Sequence, residues 1–233
     1  MKPSEIRKHC PQFVLGFKTW YDLPSRIGDV PFQYGVNVEI LVYYAVKKGK
    51  RFTYWYYCLY HHYDPKAMHP HDFQGVMMVY DEDDKFVCSV SVSHLDLLVY
   101  DRKRDARWKP IVNVEAGSHA MRPVRYLSDL RLWTSPYITV YPEACKFISL
   151  QSSVSKRDWP VWQDMFDGDK PGYSVNMPDR WFDRRSETWA EKHPKEMIEK
   201  TGKRTSRRFF WDEPDNLLWL LQRVGKLSKE IEL

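Results

Sequence analysis

Arg51-Phe-Thr-Tyr-Trp-Tyr-Tyr-Cys-Leu-Tyr60 is aromatic and β-branched almost throughout. It shows no polar face at the 3.6-residue period of a surface helix, and its side chains suit the pleated surface of a sheet, so it predicts a buried strand. Upstream, Val36-Asn-Val-Glu-Ile-Leu-Val-Tyr-Tyr-Ala-Val46 reads the same way. Lys47-Lys-Gly-Lys50 between the two supplies a hairpin turn, its glycine providing the positive φ. Downstream, Phe73 to Tyr80 predicts a third strand, turned by Asp81-Glu-Asp-Asp84. Lys85 to Ser93 alternates, with Phe86, Cys88, Val90 and Val92 on one side, as a half-buried strand does. Ile111 to Glu115 and Tyr137 to Tyr141 are further short strands. Strands at hairpin spacing with no helix until late predict an all-β core, an antiparallel β-sandwich.

The two ends read differently. Residues 1 to 35 are punctuated by Pro3, Pro11, Pro24 and Pro31 and are expected to be irregular, covering an edge. From Asp183 to Lys200 the chain is rich in Glu, Lys and Arg and predicts a helix interrupted by Pro194. Glu213 to Leu233 places Leu217, Leu221, Val224, Leu227 and Ile231 at helical spacing, with Pro214 tolerated in the first turn. The expected division is a sandwich over residues 1–180 and a C-terminal helical extension over 181–233. That extension either packs on the sandwich or serves self-association.

At 233 residues with 43% hydrophobic content the chain can fill one large core. Ten Trp and fifteen Tyr suit either strands or a binding surface. The net charge is +5, concentrated locally at Lys47 to Arg51 and Lys203 to Arg208. Such runs read as solvated turns, with phosphate contact the alternative, and no nucleic-acid motif accompanies them. Cys10, Cys58, Cys88 and Cys145 form no CxxC pair, which argues against a zinc ribbon. Cys58 and Cys88 lie inside strand-like runs and read as buried thiols; one or two disulfides are the other possibility. Cys10 follows His9 in a terminus expected to be loose. No apolar signal-peptide core and no membrane-length apolar stretch occur, so the chain reads as cytoplasmic or released without a standard signal.

His61 to Gly75 holds four of the eight histidines and two aspartates within fifteen residues. If a strand begins near His71, Asp72 and Gln74 share one face by the two-residue period, and His69 folds back over it from a loop. Asp64, His61 and His62 lie upstream. Oxygen-rich donors with one imidazole suit Mg²⁺, Ca²⁺ or Mn²⁺; adding His94 or His119 shifts the preference toward Zn²⁺. The bland alternative is a set of hydrogen-bonded loop histidines. Ser91-Val-Ser-His94 ends one strand, and Gly117-Ser-His119-Ala-Met-Arg-Pro123 follows the next at a loop. Both of those histidines are also read as structural. There is no GxSxG elbow to support nucleophilic catalysis.

At Met68-His-Pro-His-Asp-Phe-Gln74 the sequence resembles the superfamily that joins the necrosis-inducing (NPP1, Nep1-like) proteins with the Vps62-related proteins. The family heptad is Gly-His-Arg-His-Asp-Trp-Glu, matched here at His69, His71 and Asp72, with Phe73 in place of Trp. Tyr54-Trp-Tyr-Tyr-Cys-Leu-Tyr60 before it, Gly75-Val-Met-Met-Val after it, the Ser93-His94 strand end, the Gly117-Ser-His-Ala loop and Gly28-Asp-Val-Pro-Phe-Gln-Tyr34 are also similar. The resemblance spans roughly residues 25 to 125. It implies a β-sandwich with a divalent cation at one end, in a site that binds sphingolipid sugar headgroups in the Nep1-like proteins. By motif position it implies His69, Asp72 and Gln74 as ligands and Asp64 as the upstream acidic one. His71, His94, His119 and Trp55 are then expected to touch the ligand or to support the metal ligands. Gln74 stands where the motif has Glu, which removes a formal charge and lowers the expected cation affinity.

Three functions follow in order of preference. The first is a binding module that holds a cation, Mg or Ca rather than Zn, and a glycan or lipid headgroup, with Trp and Tyr near the motif stacking on sugar; the motifs lean away from an enzyme without deciding it. The second is a structural or assembly protein whose contact is the C-terminal helix. The last is a metal-dependent hydrolase with His69, Asp72 and His119 around the ion.

Overall fold

The structure, a computed structural model, describes residues 1–19, 22–24, 40–66, 69–93, 96–101, 111–124, 136–149 and 214–233. For 62–64, 69–73, 92, 93, 96 and 97 the description is of the backbone alone. Among the described residues, ten strands and two α-helices are arranged as β1 Gln12–Gly16, β2 Ile40–Lys48, β3 Thr53–Asp64, β4 His69–Tyr80, β5 Phe86–Ser93, β6 Asp96–Asp101, β7 Ile111–Val114, β8 Met121–Val124, β9 Tyr137–Val140 and β10 Cys145–Ser149, with α1 Pro3–His9 and α2 Pro214–Arg223 toward the two termini. A six-stranded sheet has the order β10-β2-β3-β4-β5-β6, and a four-stranded sheet the order β8-β7-β1-β9.

The long central hairpin explains the apolar character of its sequence. Trp55, Tyr57 and Leu59 of β3 share a buried cluster with Val76 and Met78 of β4 and with Phe13, Leu15, Val112, Val114, Met121 and Val140 of the other sheet. The alternate residues Tyr54, Tyr56, Cys58 and Tyr60 pack instead with Leu217, Leu218, Leu220, Leu221, Leu227 and Ile231. One face of the larger sheet is thus covered by the smaller sheet and the other by the C-terminal segment. A strand buried on both faces reads as a continuous apolar run. On β5 the small side chains of Ser89 and Ser91 are fully buried. Ser91 Oγ donates to the Met121 carbonyl at 2.7 Å, joining β5 to β8.

Several expectations are corrected. The first residues are not an irregular cover: β1 lies inside the smaller sheet, parallel to β7 and antiparallel to β9. Phe13-Val-Leu15 has no polar alternation because all three residues are buried. Its short length between prolines hid it. Cys10 and His9, expected in a loose terminus, are 1% and 3% exposed. The His9 ring stacks on Trp55 with centroids 4.2 Å apart and meets Tyr80 edge-on. Its Nδ1 lies 2.8 Å from the Glu5 carbonyl and its Nε2 2.5 Å from Asp84 Oδ1, which fastens α1 to the β4–β5 turn. The sandwich is not purely antiparallel either, since β2 pairs with β10 in parallel.

At the C-terminus the helix stops at Arg223, well short of Leu233, and Gly225 follows at φ +76, the left-handed geometry that closes helices. Gln222 Nε2 then donates to the carbonyls of Ser228 and Ile231, folding the last residues back. The start of the helix is fixed by Asp215, which accepts from the Tyr54 hydroxyl and the Lys50 N–H. Burial, and then the Asp215 carboxylate, push the Tyr54 hydroxyl far above its ordinary value, so it remains a donor. The helix expected over Asp183 to Lys200 lies outside the described residues. No described helix is long and apolar enough to cross a membrane.

Candidate functional site

The β3–β4 ladder keeps one register from Thr53↔Tyr80 to Asp64↔His69. His69, expected to fold back from a loop, is the first residue of β4. β4 thus begins two residues before the strand start considered near His71 and four before Phe73. Asp72 sits opposite His61 and Gln74 opposite Leu59. By the two-residue period, positions 61, 72 and 74 fall on one face of the ladder and positions 64, 69 and 71 on the other. The side chains of Asp64, His69, His71 and Asp72 lie outside the described residues, as does His94.

Gln74 is buried at 7% exposed and His61 is fully buried, both on the face toward the smaller sheet. Against His61 lies His119, from the turn between β7 and β8. The two imidazoles stack with centroids 3.7 Å apart and planes 3° from parallel. His119 is also fully buried and has a φ of +51, a left-handed conformation that only a few per cent of non-glycine residues adopt. Gly117, two residues earlier, has φ +84. The His119 N–H donates to the Glu115 carbonyl at 2.8 Å and the Glu115 N–H to the Ala120 carbonyl at 3.0 Å, which closes this turn.

Asp22 anchors the turn from the other side. Its Oδ2 accepts the backbone N–H groups of Lys18 and Thr19, each at 2.7 Å, and its Oδ1 accepts that of Gly117. Oδ1 also lies 3.4 Å from His119 Nε2. Burial alone would raise the Asp22 carboxyl; the His119 ring and the three backbone donors outweigh it and hold the group well below the ordinary carboxylate range. With both oxygens committed, this carboxylate is a fastening and not an open metal ligand.

The rim is more exposed. The Lys66 N–H donates to the Gly117 carbonyl at 3.3 Å, tying the tip of the β3–β4 hairpin to the β7–β8 turn. Lys66 Nζ lies 3.8 Å from Glu115 Oε1, and Ser118 Oγ donates to Glu115 Oε2 at 2.6 Å. Ser118 thus donates to a carboxylate. Among the described residues no group of three or more His, Cys, Asp or Glu is gathered to hold a metal.

Trp55 does not belong here. It is 2% exposed, and it stacks on His9 toward the opposite end of β3. Tyr54, Tyr56, Tyr57 and Tyr60 are likewise buried, so the aromatics expected to stack on sugar are core residues. The exposed aromatics among the described residues are Tyr137 and Tyr141. Asp22 went unnoticed in the sequence. Its only local signal was a Thr-x-x-Asp spacing, Thr19 to Asp22, beside a proline-rich stretch.

The sequence matches no protein-family model and no curated protein. Solved structures do resemble the fold. NLPPya in complex with mannosamine is 12% identical, with a TM-score of 0.47 over 72% of this chain and 84% of that one. NLPPya in complex with glucosamine gives 13% and 0.48 over the same shares. The non-toxic HaNLP3 protein gives 12% and 0.45 over 70% of this chain and 82% of its own. The chain is remotely similar to the Nep1-like proteins, and at these identities the likeness is one of fold.

Proposed function

We propose that the chain is a non-enzymatic binding module that holds a divalent cation at the end of the β3–β4 hairpin and, through it, a glycan or lipid headgroup. The observation that carries this reading is the register. It brings two aspartate and two histidine positions to the last turns of one hairpin, with Asp72 across from His61 and Asp64 across from His69. Asp72 and Gln74, on one face of the ladder, form the centre of the proposed ligand set; Asp64 and His69, whose positions fall on the other face, would join it around the end of the hairpin. The donor types, two carboxylates, an amide oxygen and an imidazole, fit Mg²⁺ or Ca²⁺ better than Zn²⁺. The cation would supply positive charge to sugar hydroxyls or to a phosphate. Lys66 and Glu115 at the rim would accept the remaining polar groups of the headgroup.

The assembly alternative loses its expected surface. Leu217, Leu218, Leu220 and Leu221 of α2 are all 2% exposed or less, committed to the larger sheet of the same chain. Titration calorimetry with glucosamine, and flotation with vesicles carrying a glycosylated sphingolipid, each with Ca²⁺ or with EDTA, tests the binding reading. Binding in Ca²⁺ that disappears in EDTA is the expected result. Equal behaviour in both, or no binding to either ligand, refutes it.

A further inference from the structure

We propose that Asp22 is the positioning residue of the hairpin-end site. It fixes the His119 ring, and the His119 ring fixes His61, the strand position directly across from Asp72. The inference rests on the binding reading above for its functional consequence, but its geometry stands independently.

Five observations converge. Asp22 is 1% exposed and joins two segments far apart in sequence, the stretch after β1 through Lys18 and Thr19 and the β7–β8 turn through Gly117. The same carboxylate faces His119 Nε2 at 3.4 Å, within ion-pair distance, so a charged group lies at the edge of the ring. His119 is held in a left-handed backbone conformation, which the surrounding turn must enforce. Its ring then lies flat against His61 at 3.7 Å, and neither ring has any exposed surface into which to turn. His61 pairs with Asp72 in the ladder. A carboxylate that orients an imidazole, which in turn supports a ligand-bearing strand, is the kind of outer support whose loss typically costs about 10- to 100-fold in metal affinity.

The test uses the full chain with ¹⁵N-labelled histidine. Long-range ¹H–¹⁵N spectra of the imidazoles are compared for wild type, Asp22→Asn and His119→Gln, and each protein is titrated with Mn²⁺. Asp22→Asn is expected to shift the ring signals of both His119 and His61, leave those of His9 at the opposite end in place, and weaken Mn²⁺ binding at least 10-fold without changing its stoichiometry. His119→Gln, which keeps a donor for Asp22 but removes the stack, is expected to shift His61 and weaken Mn²⁺ binding similarly, and it serves if Asp22→Asn fails to fold. His61 signals unmoved in a folded variant overturn the proposal, as does Mn²⁺ affinity equal to wild type. If the wild-type protein takes up no Mn²⁺, the binding reading falls, and the His61 ring signals alone decide whether Asp22 positions the pair.

Discussion

Asp22 shows how much one buried carboxylate can organise when every lone pair is used. Three backbone donors and an imidazole converge on it. Replacing it by alanine leaves those N–H groups unpaired in the interior, and a loss of about 2 kcal/mol is expected at neutral pH. The pH dependence follows from the direction of the shift. The folded-state carboxyl lies below its ordinary value of 3.8, so its contribution is present above that value and is lost as pH falls through the lower folded-state value. Urea unfolding of wild type and Asp22→Ala at pH 7 and at pH 3 is therefore expected to show a stability gap that narrows in acid. A gap that stays constant or widens contradicts the assignment. None of this was legible at position 22, because a fastening aspartate is defined by partners from residues 18, 19, 117 and 119. The histidines were legible because four of them crowd one short stretch, although His61, read only as available upstream, proved to be the stacked partner of His119.

At the scale of elements, the C-terminal segment acts as the second lid of the sheet. Leu217, Leu218, Leu220 and Leu221 fill the face of Tyr54, Tyr56, Cys58 and Tyr60. The segment is pinned at Asp215 by Tyr54 and Lys50 and at Ser228 by the Asp101 carboxylate, which accepts its N–H at 2.8 Å. Leu221 is fully buried, so Leu221→Ala is expected to cost about 3 kcal/mol, read as a lowered denaturation midpoint. A loss below about 0.5 kcal/mol would mean the helix contributes little to the core. The helical spacing of the leucines exposed this element in the sequence, but its stop at Arg223 was missed because Val224 and Leu227 continue the pattern. Gly225 at φ +76 and the folding back of Gln222 onto Ser228 decide the end, and both depend on tertiary contacts. The strands of the central hairpin were legible because burial on both faces removes polar residues from them. β1 was not, since a five-residue strand whose partners are β7 and β9 carries little local signal.

Over the whole molecule, the two ends of the sandwich have separate roles. The β2–β3 and β4–β5 turns lie together at one end, where Lys8 and His9 of α1 bind Asp84. Burial raises the Asp84 carboxyl, but Lys8 and His9 outweigh it and hold the group low, as expected of an anchored and partly exposed acid. Cys10, Cys58, Cys88 and Cys145 are buried, and none of them forms a disulfide. Burial, then Glu143, raise the Cys145 thiol to about 12, and burial keeps Cys58 protonated as well. The opposite end holds the stacked histidines and the Asp22 fastening, and it is the proposed seat of the divalent cation. The most direct test is elemental analysis by mass spectrometry of the purified chain, after dialysis against Ca²⁺ and Mg²⁺, for wild type and Asp72→Ala. The account predicts about one divalent ion per wild-type chain and none in the variant, with both proteins folded. No ion in the wild type, or the same ion content in both, would contradict it.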